Sequence, residues 1–226
     1  MRIERLKKTN STNEYVKKFI KNKEDVIVVA DEQTGGMGTK GRSFISEKGG
    51  LYFTKLSFYN NFPASESWQI MAGAALAVVK TLLAFGIQAK IKWPNDIIVN
   101  GKKICGILIS NSFCSQNIDY SIVGIGLNVN NEIAEEIKDI AISTKQVLGK
   151  ELDIESLLLT LSLNLSAKAD INEYRAYSAV IGKKLTVIRG ENIFESVAVD
   201  ILPDGALKLE NGELLYAGEL NLKIKI

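Results

Sequence analysis

Apolar residues fall into short blocks along this chain, and the period of the blocks changes from one part to the next. Val26–Ala30 is apolar without a break, as expected of a strand buried on both faces. A second strand is predicted over 51–57. From Ser65 to Phe85 the apolar positions run on long enough for a core helix, which Gly86 stops. Upstream, Ser11-Thr12-Asn13-Glu14 has the form of a capping box. Tyr15, Val16, Phe19 and Ile20 follow at the spacing of one helical face.

Three more strands are predicted at 89–92, 97–99 and 104–110, the last two joined by Asn100-Gly101, a strong hairpin signal. Residues 121–129 read as a further strand and 153–167 as an amphipathic helix. From about Ile181 short apolar runs alternate with turns at Pro203-Asp204-Gly205 and Asn211-Gly212. That texture predicts a small all-β module of about 45 residues, a size that suits an SH3-like barrel. The fold class is therefore α+β: a mixed sheet packed with helices over 1–178, followed by a small β module over 179–226.

Composition narrows the function. Of 226 residues, 46% are hydrophobic, enough for a proper core. Lys+Arg is 28 against Asp+Glu 26, a net charge of +2, without the broad basic footprint of a DNA-binding protein. The N-terminus lacks the apolar segment of a signal peptide, and the apolar stretch 70–79 closes at Lys80, too short to span a bilayer. These features predict a cytoplasmic protein with neither a DNA nor a membrane partner. Cys105 and Cys114 form no metal-binding spacing and are expected to be inert, partly buried thiols, although a disulfide between them stays open. Histidine is absent, which removes Ser-His-Asp and Cys-His nucleophile systems and any His-ligated zinc. Proton transfer near neutral pH is left to carboxylates, lysine, tyrosine or water.

Two segments carry candidate chemistry. Gly35-Gly36-Met37-Gly38-Thr39-Lys40-Gly41-Arg42 is a glycine-rich basic loop between strands, neither a Walker loop nor a dinucleotide fingerprint. Its glycines allow close backbone approach to an anion, and Lys40 and Arg42 add charge. On its own it reads equally well as a surface hairpin. Lys92-Trp93-Pro94-Asn95-Asp96 lies between two strands, and Lys103 follows on the next. By itself this run is a structural turn with a packed tryptophan. Together, an anion loop, a carboxylate, an amide and an amine suit the activation of a carboxylic acid by a nucleotide.

The combination closely resembles the biotin protein ligases over essentially the whole chain. Ser11-Thr12-Asn13, Gln33 before the loop, the glycine loop, the KWPND run, Lys103, Gly124-Ile-Gly-Leu-Asn128-Val and Gly218-Glu219 all match. The resemblance implies a class II synthetase-like catalytic fold with an SH3-like C-terminal domain. It also implies a two-step reaction. Biotin and Mg-ATP give biotinyl-5′-adenylate and pyrophosphate, and a lysine of a biotin carboxyl carrier protein then displaces AMP. The catalytic motif starts at residue 11, which implies a monofunctional ligase without the DNA-binding domain of bifunctional members.

The resemblance further implies that Ser11, Thr12, Asn13 and Gln33 hold the biotin head, while Gly36, Gly38 and Gly41 shape the loop over acid and phosphate. Arg42 is then a cation near the phosphates, and Lys103 neutralises the carboxylate and α-phosphate. Trp93, Asn95 and Asn128 fall on the nucleotide side, and Asp96 either holds Mg²⁺ or orients the acceptor amine. A lipoate ligase and a non-catalytic biotin sensor are the rival readings, and the sequence leaves monomer and homodimer both open. Met37 and Thr39 stand where the family loop usually has arginines. Residues 130–143, a candidate adenylate cover, contain no aromatic, so Ile133 or Ile137 would have to pack instead.

Overall fold

The computed structural model describes residues 2–165, 168–189, 191–216 and 221–224, with the side chains of Lys40, Arg189 and 221–224 left aside. Strands β1 (Arg2–Leu6), β2 (Val26–Ala30), β3 (Leu51–Pro63), β4 (Lys90–Lys92), β5 (Asp96–Val99), β6 (Lys102–Cys114) and β7 (Asn117–Leu127) form one sheet. Their order is β1-β2-β3-β7-β6-β5-β4. Only β1 against β2 is parallel, so the sheet is mixed. Edge strand β1 went unforeseen because Arg2, Glu4 and Arg5 leave it no apolar alternation.

Both faces of the sheet are covered, which explains the unbroken apolar run of β2. Val26, Val28, Leu56 and Ile122 pack on one side against Val16 and Phe19 of the 3-10 turn Val16–Asn22, which continues helix α1 (Thr12–Tyr15). Ile27, Val29, Phe53, Val123 and Ile125 face the other side, where they meet helix α2 (Trp68–Ala84). Extended by its preceding turn to Ala64–Ala84, this is the one helix among the described residues long and apolar enough to cross a membrane. Most of that apolar surface is buried in the core, from Ile70 to Leu82.

Helices α3 (Thr144–Leu148), α4 (Ile154–Asn164) and α5 (Ile171–Ala176) complete the large part. The capping box expected at Ser11 is not formed, since Ser11 makes no side-chain cap bond. A complete one stands at Ser143 and Gln146, opening α3. Helix α4 is capped by Asp153, and residues 166–167 of the expected span lie outside the described residues. Asn100 and Gly101 both take positive φ, 51° and 76°, as a tight hairpin turn requires.

Strands β8 (Lys184–Arg189), β9 (Asn192–Ile201), β10 (Leu207–Leu209), β11 (Leu214–Leu215) and β12 (Asn221–Ile224) form a second, antiparallel sheet of five strands, β11-β10-β9-β8-β12. Its short antiparallel strands suit the small SH3-like module expected there. Gly218 and Glu219 lie outside the described residues. Leu185, Val187, Ala198 and Leu207 join the same apolar cluster as α2, so the two sheets share one core. The seam is also hydrogen-bonded, with Trp93 Nε1 donating to Gly205 O at 2.9 Å and Arg175 Nε to Ile201 O at 2.8 Å.

Candidate active site

A cleft of about 470 Å³ opens on the sheet face that carries α1. Its floor is made of glycines. Gly106 on β6 pairs with Gly126 on β7, and Gly124 pairs with Leu108 on one side and Thr54 of β3 on the other. Each missing side chain lets a neighbour lie flat. A Cβ on Gly124 would collide with the Asn13 amide, and one on Gly126 would sit 2.7 Å from the Phe44 ring. One on Gly106 would sit 3.0 Å from Lys103 Nζ.

One end of the cleft is neutral and hydrogen-bonded. Gln33 Oε1 accepts from Thr12 N at 2.8 Å and from Thr12 Oγ1 at 2.9 Å, while Gln33 Nε2 donates to Ser46 Oγ at 2.9 Å. Thr54 Oγ1 lies 2.8 Å from Thr12 Oγ1 and 2.5 Å from Asn13 Oδ1. Ser11 is buried and also lines the cleft. Because its hydroxyl is not used as a cap, it faces the cleft without serving the helix. The result is a set of uncharged donors and acceptors held from α1, β3 and the segment that follows β2, suited to a neutral polar head.

The other end is ionic. Lys103 Nζ pairs with Asp96 Oδ1 at 2.6 Å, both side chains partly open to solvent. The pair is cross-strand, from β6 and β5. Segment 140–142 fixes the Lys103 backbone, which donates to Ile140 O at 2.8 Å and accepts from Ile142 N at 2.9 Å. Asn95 lines the cleft and donates from Nδ2 to Ile107 O at 2.9 Å.

The glycine loop is a folded hairpin, not an open anion nest. Gly35 N donates to Asn10 O at 2.8 Å, and Gly38 N to Arg42 O at 2.7 Å, so some of the amides expected to cradle an anion are already bonded. Gly36 is tight against Phe44 O and Ser46 Oγ, whereas Gly41 needs its glycine for a φ of +71°. Gly38, Met37 and Thr39 line the cleft; Gly36 and Gly41 do not. Arg42 is exposed at the hairpin tip and is not among the lining residues.

Two residues expected on the nucleotide side, Trp93 and Asn128, do not line the cleft. Trp93 is buried with its N–H on Gly205, so it braces the small module and does not face the cleft. Asn128 is buried too, its Nδ2 donating to Ile142 O at 3.3 Å and its Oδ1 accepting from Asn131 Nδ2 at 3.3 Å, which ties down the segment behind Lys103. Ile133 and Ile137 do not line the cleft either. Sequence reasoning missed Phe44 and Thr54. A hydroxyl inside the apolar run 51–57 was the available signal for Thr54. Both cysteines are free thiols; Cys105 is buried, as expected, but Cys114 is exposed.

Among the described residues no cluster of three or more His, Cys, Asp or Glu side chains could hold a metal ion. Asp96 offers one carboxylate, already paired with Lys103. That donor set fits a Mg²⁺ held mainly by a nucleotide's phosphates, with one carboxylate at most from the protein.

Comparison with known proteins places the chain in a family. Residues 3–128 match the profile of the Biotin/lipoate A/B protein ligase family. The chain is 32% identical over 218 residues to the bifunctional ligase/repressor BirA of Bacillus subtilis, covering 88% of this chain and 66% of that protein. It is 36% identical over 128 residues to the biotin–[acetyl-CoA-carboxylase] ligase of Paracoccus denitrificans, covering 55% and 53%. The structure superposes on the biotin protein ligase of Aquifex aeolicus, solved with biotin and ATP, at a TM-score of 0.81 and 31% identity, over 99% of both chains. The family match covers more than half of the chain: the chain is a member of the biotin/lipoate A/B protein ligase family.

Proposed function

We propose that the chain is an ATP-dependent biotin ligase that acts on a lysine of a biotin carboxyl carrier protein. The observation that carries the reading is the polarity of the cleft, with Thr12 and Gln33 at the neutral end and the Lys103–Asp96 pair at the other. A ureido ring needs uncharged partners, whereas a carboxylate meeting a phosphate needs a fixed cation.

In the first step a carboxylate oxygen of biotin attacks the α-phosphorus of ATP and pyrophosphate leaves. In the second, the acceptor amine attacks the carbonyl of the mixed anhydride and AMP leaves. Ser11, Thr12, Asn13 and Gln33 hold the head, and Gly38 lets the loop backbone approach the acid. Lys103 turns from Asp96 to the carboxylate and α-phosphate, and Arg42 reaches the phosphates when the hairpin closes. Asp96, released from Lys103, either accepts Mg²⁺ or orients the amine. When bound with the nucleotide, Mg²⁺ neutralises phosphate charge. Asn95 borders the nucleotide side, while Trp93 and Asn128 support it from behind. We divide the chain into a catalytic part, 1–178, and the small module, 179–226. We assign its action to the cytoplasm, in keeping with two free thiols.

The test is mass spectrometry of a carrier domain incubated with this protein, ATP, Mg²⁺ and either biotin or lipoate. A biotin-sized gain on one lysine, lost in Lys103→Ala, is expected. A gain with lipoate alone moves the chain to the sister activity. Biotin binding without any gain makes it a sensor and overturns the catalytic reading.

A further inference from the structure

A second cavity, about 560 Å³ and open to solvent, lies on the opposite face of the same sheet. Lys55 of β3 reaches into it, with Ser57 and Tyr59 from the same strand. Ile70 of α2, Val123 of β7 and Leu165 supply an apolar wall. Behind this lining a polar row crosses three strands: Ser57 pairs with Ser121, and Ser121 with Asn111. Tyr59 Oη lies 2.8 Å from Ser121 Oγ. Asn111 Oδ1 is buried without a hydrogen-bond partner among the described residues.

Lys55 is partly buried and makes no ion pair or hydrogen bond to any described residue. Asp25 also lines the cavity and is tied there by accepting from Phe58 N at 2.9 Å. A lone ammonium in a partly desolvated setting lacks a bonded anion, and its pKa is lowered by burial, with Asp25 opposing. One cation beside one carboxylate leaves the mouth close to neutral, which disfavours polyanions. Hydroxyls on one side and aliphatic side chains on the other favour a head of one charge with an apolar tail.

We propose that this cavity binds a small monocarboxylate with a short aliphatic tail, the carboxylate on Lys55, Ser57 and Tyr59 and the tail against Ile70 and Leu165. The site is separate from the cleft, although both share β3: Thr54 lies on the cleft side, bonded to Thr12 and Asn13, which line it, while Lys55 lines the cavity.

The test is NMR on the full chain carrying ¹³C at lysine Cε and ¹⁵N at the backbone amides, titrated with butyrate and, separately, with inorganic phosphate. Butyrate is expected to shift the Lys55 signal saturably and raise its pKa. Lys55→Met and Tyr59→Phe should each weaken the accompanying shifts at Val123, the former about tenfold or more. No saturable change at Lys55, an unchanged response in Lys55→Met, shifts confined to Gly106 and Gly126, or equal affinity for phosphate would each overturn the proposal.

Discussion

The ring of Phe44 rests on the backbone of Gly126, so closely that a Cβ there would stand 2.7 Å from the ring. This contact seats the glycine hairpin on the floor of the cleft. Gly126→Ala would force the ring and hairpin off the sheet, at a cost of about 1–3 kcal/mol of stability as an overpacked site. Biotin affinity should fall with it, because Gly38 and Thr39 ride on the same hairpin. Urea unfolding together with biotin titration reads both effects. Phe44→Ala in the Gly126→Ala background should recover part of the stability but not the affinity. Full recovery of both would mean that the ring plays no part in holding the hairpin.

Thr54 is fully buried and is the hub between Thr12 and Asn13. Thr54→Val keeps the shape but removes the hydroxyl and leaves Asn13 Oδ1 without its donor. The expected cost is about 1–3 kcal/mol for the unsatisfied group. In kinetics the loss should appear in KM for biotin and leave kcat nearly unchanged, because Thr54 positions the neutral end only. Thr54→Ser, which keeps the hydroxyl, should restore KM. If kcat falls as far as kcat/KM in Thr54→Val, the neutral end takes part in the chemical step.

Lys103 and Asp96 are only partly buried, 37% and 26% exposed, so their pairing contributes little to folding, about 1 kcal/mol at most. Lys103→Gln should therefore leave the unfolding midpoint almost unmoved. Adenylate formation, followed by biotin-dependent pyrophosphate exchange, should fall by about 10²–10³, the usual loss when one preorganised charge partner of the transition state is removed. A large drop in stability with modest loss of exchange would reverse the assignment and make the pair structural.

The alkaline limit of stability follows from buried weak acids. Burial raises the pKa of Tyr52, Tyr174 and Cys105. Their unfolded forms lose protons near the ordinary values of 10.0 for tyrosine and 9.0 for cysteine, while the folded forms keep theirs. The native state thus binds more protons above about pH 9, and stability must decline as pH rises. The contribution is fully present below the unfolded values and disappears on passing up through the folded ones. Urea midpoints measured between pH 7 and pH 11 should fall on the alkaline side, and Tyr174→Phe should flatten the slope. A flat profile in the unsubstituted protein would contradict the burial of these groups.

What could be read from the sequence was local. Val26–Ala30, the Asn100-Gly101 hairpin and the long core helix each carry their signal within a few residues. The site was readable as a set of residue types because Ser11, Gln33, the glycine loop and Lys103 match a family pattern. What stayed hidden depends on partners far along the chain. Strand β1 exists because β2 offers it a parallel edge, in spite of its charges. Sequence groups Trp93 with Asn95 and Asp96, but its N–H donates to Gly205 O next to the other sheet. Asn128 likewise closes onto Ile142, which no local spacing discloses.

Met37 and Thr39 line the cleft where the family usually carries arginine, and Met37 is 45% exposed. Lys103 is then the cation that lines the cleft among the described residues. Each absent guanidinium contact to phosphate is worth about 1.5–3 kcal/mol, so the chain should release its adenylate more readily than arginine-bearing relatives. Thr39→Arg restores one such contact from a position that already borders the cleft and has room at the rim. The rate of adenylate escape, followed by chasing labelled biotinyl-adenylate with unlabelled ligand, should slow by about tenfold or more. Transfer to the carrier should not speed up, because the added contact holds the intermediate without touching the acceptor amine. An escape rate unchanged by Thr39→Arg would mean that the hairpin in its closed form does not reach the phosphate.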